Sequence, residues 1–260
     1  MTPDEHATDP ASAEPTTSAN PAERALDAVL RHLQHAQQQL LGDTISVTDE
    51  QWRGPSHLPG WSRGHVATHI ARQADAMRRV AEGVLSGTPA QMYDSMEARN
   101  AAIEDGSTRT GLELQTDLDT SAGAVLDAFD QVETADRWDT KVHATDGVEF
   151  AARLLPLGRL TEVALHHIDL DLGVTADDLD PDLATWLLEW ITFRLSARVG
   201  RPFRILVATP TGSPTMIDVG QAGSDGPVIS GAPQALVGWL SGRAVTARPE
   251  GADQVDPPAL

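Results

Sequence analysis

The sequence predicts an α+β protein: a four-helix bundle over residues 23–175, followed by a smaller C-terminal α/β domain over 176–248. Three observations carry this. Four segments before residue 175 repeat apolar residues at helical spacing. After Gly200 the texture changes to short runs rich in branched residues, broken by Gly, Ser and Pro. A last apolar helical segment, "APQALVGWLSGR", then closes the smaller domain.

The elements follow in order. Leu26, Val29, Leu30, Leu33, Leu40 and Leu41 place one face on a first helix over 23–41, and Gly42 is expected to end it. Pro59-Gly60 makes a turn, and Ser62 caps a second helix whose face holds Val66, Ile70, Met77 and Val80. His69 lies close to that face. The stretch "TPAQMYDSMEARNAAIEDGS" is a polar connection with room for one short helix. Thr110 and Glu113 have the spacing of a capping box, which opens a third helix through Val132. Two short strands are expected around Asp146-Gly147. The fourth helix runs to about residue 170, with a late start or kink at Pro156 and Gly158. Asp180-Pro181 opens a further helix carrying Trp186 and Trp190. "FRILVATP", "TMIDVG" and "PVISG" read as strands. Residues 1–22 are rich in Pro, Ala, Thr and acids and read as a disordered tail, and 249–260 as a loose end.

Composition narrows the function. The chain carries −19, and its first 22 residues hold four acids and no Lys or Arg, which leaves −15 for the rest. Such a surface repels nucleic-acid phosphates and anionic lipid, so neither is an expected partner. An anionic substrate needs local arginines or a metal. There is no cysteine, hence no disulfide, no thiolate metal ligand and no protein thiol nucleophile. Thiol chemistry would require a thiol brought by a small molecule. No run is long and apolar enough to span a membrane, and the opening residues lack the basic and apolar regions of a signal peptide. A cytoplasmic protein, with a monomer favoured, is the expectation.

The residues that carry chemistry sit in "LTEVALHHIDLDLG". Glu162 and His166 are four apart, so on a helix their Cβ atoms lie roughly 5–6 Å from each other and both reach one ion. The alternative is an ordinary Glu–His pair on a helix surface. His65 and His69 form a second i, i+4 pair on the second helix, and one of them facing the bundle centre would add a third ligand. Two imidazoles and a carboxylate are a donor set for zinc or a similar divalent metal. His167 points about 100° away from His166 and belongs elsewhere. Asp169, three residues after His166, is placed to support a ligand from behind.

Four stretches in order, "LPGWSRGHVATHIARQADAM", "EARNAAI", "TEVALHHIDLDLG" and "GAPQALVGWLSGR", resemble the mycothiol-dependent maleylpyruvate isomerase family of DinB-like four-helix-bundle metalloenzymes. The resemblance covers residues 23–245. It implies a metal held by His69, Glu162 and His166, and a C-terminal domain closing over the bundle. It also implies that Arg99 of "EARN" and Arg243 of "WLSGR" bind substrate or thiol, where a guanidinium offers a carboxylate two prongs. The implied cofactors are zinc, or another divalent metal, and mycothiol.

The implied reaction is cis–trans isomerisation of maleylpyruvate to fumarylpyruvate, or of a closely related unsaturated acid, within aromatic degradation. A reasonable path is addition of the mycothiol thiolate to the double bond, rotation, and elimination. A mycothiol S-transferase would use the same site and release the adduct. Two further readings stay open: a non-enzymatic helical interaction protein using the Trp-rich helix, and a metal-dependent hydrolase. One departure from the family pattern, Pro156-Leu157-Gly158 just before the ligand helix, raises the expectation that Glu162 is displaced relative to His69.

Overall fold

The computed structural model describes residues 21–145, 147–196, 198–208, 214–220 and 225–256. The expected tail therefore lies outside the described residues except at its last two positions. Four long helices make the bundle: α1 (Pro21–Thr44), α3 (Arg63–Ser86), α5 (Gly111–Thr134) and α6 (Leu155–Asp169). Helix α2 (Asp49–Arg53) and helix α4 (Met96–Gly106) fill the connections on either side of α3. Around the bundle α3 packs on α5 and α6, and α1 on the same two helices. The α3–α6 seam is thus the one place where the second and fourth predicted helices face each other.

Caps explain where these helices begin. Ser62 accepts the His65 amide, and the His65 ring returns the contact to the Ser62 amide at 3.2 Å. His65 is thereby committed to a helix start, which separates it from His69 one turn on. Thr110 and Glu113 close the expected box at α5. Helix α1 does not stop at Gly42 but runs two residues further, where the Thr44 hydroxyl donates back to the Leu40 carbonyl at 2.7 Å. Gly42 takes no left-handed backbone, so it does not act as a stop. Pro156 sits in the first turn of α6, where a proline costs no helical hydrogen bond, so the helix starts late rather than kinking.

Two short strands, β1 (Lys141–His143) and β2 (Glu149–Ala151), pair antiparallel ahead of α6. After α7 (Pro181–Ser196) come β3 (Phe203–Val207), β4 (Thr215–Val219), β5 (Val228–Gly231) and α8 (Pro233–Ser241). The sheet order is β4-β3-β5, with β4 antiparallel and β5 parallel to β3. Phe203, Ile205 and Val207 alternate into the core beneath α7 and α8, as a half-buried strand requires.

The end of the chain differs from expectation. Residues 249–256 are docked, not loose: Ser230 and Glu250 exchange backbone hydrogen bonds at 3.0 and 2.8 Å, and Ala252 and Val255 are buried. The segment covers the free edge of β5, which would otherwise expose unpaired backbone groups. Trp186 and Trp190 of α7 also turn inward, Trp186 onto His32 of α1 and Trp190 onto Phe150 of β2. Both are half-buried by these contacts, while Phe193 on the same helix stays 42% exposed. No described helix is long and apolar enough to cross a membrane.

Candidate active site

His69 on α3 faces Glu162 and His166 on α6. His69 Nε2 lies 3.2 Å from Glu162 Oε2 and 3.0 Å from His166 Nε2. The third side, His166 Nε2 to Glu162 Oε2, is 3.4 Å. One donor atom from each residue lies within 4.8 Å of the others, and this is the one such group of three among the described residues. Pro156 and Gly158 do not displace Glu162. His167, one step round α6, points to the opposite side and sits 3.1 Å from Asp43 at the end of α1.

Arg159 sets the register of the two ligand helices. It is buried on α6, and its Nη1 donates to the Ile70 carbonyl at 2.8 Å and to Gln73 Oε1 at 2.7 Å, both on α3. One of these bonds falls on the residue next to His69, so the guanidinium pins that turn of α3 to the turn of α6 that carries Glu162. Burial pulls its pKa down to about 10, with the Glu162 charge acting the other way. The sequence alone did not single out Arg159, because an arginine on a helix usually marks solvent.

Behind His166 stands a chain of contacts. Its Nδ1 is 2.8 Å from Asp169 Oδ2. A carboxylate there holds a proton on Nδ1 and fixes the ring so that Nε2 faces Glu162 and His69. Asp169 in turn receives Arg243: Nε to Oδ1 at 3.1 Å and Nη2 to Oδ2 at 2.6 Å. Gly242, at φ 74°, ends α8 in the left-handed conformation, and this turn sends the Arg243 side chain toward α6. Arg243 does enter the site from the C-terminal domain, but its fork is taken by the protein's own Asp169, not left open for a substrate carboxylate.

The electrostatics follow from these contacts. Burial works to raise the Glu162 carboxyl, yet hydrogen bonds from His166 and His69, and their charge, hold it well below the usual carboxylate range. Burial works to lower His166, but the bonds to Asp169 and Glu162 bring it above the ordinary histidine value. Burial wins at His69, which is lowered. A charged Glu162 and a lowered His69 suit a divalent metal, whereas His166, raised, must give up its Nε2 proton for one to bind.

Arg99 on α4 adds one condition. Its Nη2 donates to His69 Nδ1 at 3.0 Å, and its guanidinium lies 5.9 Å from the Tyr93 ring centre. While Arg99 donates there, the His69 proton sits on Nε2. For His69 to offer its Nε2 lone pair, the proton must move to Nδ1 and Arg99 must step aside. The donor set otherwise fits a metal.

Two cavities meet at His69 and Glu162, and His166 faces the larger one. The larger, about 570 Å³, is lined by Arg99, Arg194, Arg198 and Arg243, with Trp61 and Ser241 among its other walls. Four guanidiniums line this cavity beside the Glu162 carboxylate, and the Arg243 guanidinium is paired with Asp169. The smaller, about 310 Å³, lies on the far side toward β1, β2 and the start of α4. Arg194 and Arg198 were not found from sequence: Arg194 lies in the last turn of α7 and Arg198 in the turn beyond it, and no motif marks either. Trp61 packs on both His65 and His69 at 6.1 and 5.6 Å between ring centres.

Fold and site together define a helix-bundle protein with an inward His/Glu/His cluster covered by an α/β domain. A family model, the mycothiol maleylpyruvate isomerase N-terminal domain, matches residues 33–171, and the chain belongs to that family. Among solved structures, the crystal structure of the mycothiol-dependent maleylpyruvate isomerase superposes with a TM-score of 0.78 at 24% identity, covering 90% of this chain and 97% of that one. A histidine-to-alanine mutant of the same enzyme superposes with the same score at 23% identity. At that identity the likeness establishes the fold. No curated protein matches this sequence significantly.

Proposed function

We propose that this chain catalyses the mycothiol-dependent, metal-assisted cis–trans isomerisation of maleylpyruvate or a closely related unsaturated acid. The observation that carries this reading is the His69–Glu162–His166 cluster opening into an arginine-lined cavity. His69, Glu162 and His166 would hold a divalent metal such as zinc. When bound, the metal lowers the pKa of a thiol, and mycothiol supplies the nucleophile that this cysteine-free chain lacks.

The protein's own residues do the rest. Asp169 fixes the His166 tautomer, and Arg243 keeps Asp169 charged and oriented. Arg99, Arg194 and Arg198 line the cavity where the carboxylates of an unsaturated keto acid would sit, and a guanidinium there stabilises enolate charge as it develops. Trp61 and Leu240 wall the same cavity and limit water around the reacting carbons.

A mycothiol S-transferase is the second reading, favoured by a cavity larger than a small diacid needs. Incubation with maleylpyruvate, with and without mycothiol and zinc, separates the two by product. A trans acid with the thiol recovered unchanged supports isomerisation. A stable thioether means transfer, and no thiol dependence rejects both.

A further inference from the structure

The cluster stands between two chambers of different chemistry. They share His69, Arg99, Glu162, Trp190 and Arg194. Beyond that shared wall the larger chamber continues into Arg198, Ser241 and Arg243. The smaller one continues into Met77, Val80, Met92, Phe150 and Leu155, with Gln73, Tyr93, His143 and Thr145 as its polar members. Beyond the shared wall, no Asp, Glu, Lys or Arg lines it among the described residues.

The sequence builds this chamber actively. Gly158 lies on α6 where a Cβ would come within 3.0 Å of Trp190 Cζ2 and 3.2 Å of Met77 Cε. The missing side chain lets the indole and the thioether lie against the helix and form one wall. Phe150 meets Trp190 edge to face at 5.6 Å. Methionines at 77, 92 and 96 supply flexible, polarisable surface that adapts to a guest.

A short diacid has no use for such a space. Both its ends are charged, and the guanidiniums of the larger chamber are where those ends are stabilised. At about 310 Å³ the smaller chamber is large enough for a six-membered ring or a short alkyl chain, since ligand pockets begin at roughly 300 Å³. Filling it with an apolar group releases water from apolar walls next to the reactive centre.

We propose that the smaller chamber binds an apolar body of the substrate, so that the unsaturated acid this chain acts on carries an aryl ring or alkyl chain. The proposal rests on the reading of the site given above and names its substrate class. The carboxylate and the double bond lie toward the arginines and the cluster. The apolar substituent passes Glu162 into the space between Met77, Met92 and Trp190.

Two unreactive probes test it: maleate and cis-cinnamate, each a cis double bond with one carboxylate, the other end being a second carboxylate or a phenyl ring. Isothermal titration into zinc-loaded protein is expected to find cis-cinnamate bound at least about tenfold more tightly. Met92 is half-buried at the rim, so it tolerates change. Met92→Gln makes the wall polar at the same length, and Met92→Trp fills the space; each is expected to reduce the preference to about twofold or less. Equal affinities, tighter maleate, no binding of either probe, or an unaltered preference in both variants overturns the proposal. Turnover of maleylpyruvate with mycothiol, measured on the same preparation, judges the functional reading separately. Turnover without the preference keeps isomerisation and removes the chamber; the preference without turnover keeps the chamber and removes maleylpyruvate as the substrate.

Discussion

Arg243 and Asp169 form a two-pronged ion pair between the end of α8 and the end of α6, and the carboxylate oxygen at its shorter contact, 2.6 Å, also meets His166 Nδ1 at 2.8 Å. Arg243, 74 positions from Asp169 in sequence, thus acts on a candidate metal ligand through that one buried carboxylate. The C-terminal domain is thereby tied to the cluster by a charge-assisted contact as well as by packing.

The first prediction concerns that contact. Asp169 is 1% exposed, so Arg243→Ala leaves this buried carboxylate to its hydrogen bond with His166, which costs about 1.5–3 kcal/mol of stability. Zinc affinity is expected to fall by about 10- to 100-fold, because the support behind His166 loosens. Arg243→Lys keeps the charge but not the fork, and should recover only part of both. Chemical denaturation and competitive zinc titration on the two variants measure this. Unchanged zinc affinity in the alanine variant would place Arg243 outside the path to His166.

The second prediction is a dependence on pH. Burial raises the Asp169 carboxyl, but the hydrogen bonds from His166 and Arg243 outweigh it, and the folded value lies below the ordinary aspartate one. The sign follows: the stabilisation is fully present above the unfolded pKa of about 3.9 and is lost as pH falls through the lower folded value. Asp169→Asn is expected to start with a lower melting temperature near neutral pH and to lose less of it on acidification. Parallel melting curves of wild type and variant across the acid range would contradict this.

The third concerns Arg99. Its hydrogen bond to His69 Nδ1 competes with the tautomer that metal binding needs. Arg99→Gln is expected to raise zinc affinity by about tenfold or less, the loss of one charge-assisted hydrogen bond, while weakening anion binding. Zinc affinity lower than wild type would mean that Arg99 supports the ligand rather than competing with it.

A fourth tests how α4 is seated. Gly64 on α3 has no room for a side chain: a Cβ there would lie 2.3 Å from the Ser107 carbonyl oxygen. Ser107 follows α4, and backbone cannot swing away as a side chain can. Gly64→Ala is expected to cost about 1–3 kcal/mol and to disturb Arg99, which α4 carries. Wild-type stability in this variant would show that α4 is loosely held.

The cluster was legible in the sequence because its signals are local. Glu162 and His166 declare themselves by four-residue spacing, and His69 by the family pattern after Ser62. Strands β3, β4 and β5 were legible because Gly and Pro punctuate them. Arg159 was not, since nothing in its neighbours says that its helix face is covered by α3. The partner of Arg243 was hidden for another reason. An arginine in an acidic chain points to an anion, but only the fold reveals that the anion is Asp169. The docking of 249–256 depended on a sheet edge whose position no local pattern encodes.

The central claim is that His69, Glu162 and His166 together bind a divalent metal on which thiol-dependent turnover relies. The direct measurement is zinc stoichiometry and affinity of untagged protein, for wild type and for His69→Ala, Glu162→Ala, His166→Ala and His167→Ala. The account predicts close to one zinc per chain in wild type and in His167→Ala, and a sharp loss in each of the other three. Wild-type protein that takes up no zinc, or zinc retained in His166→Ala and lost in His167→Ala, would contradict it.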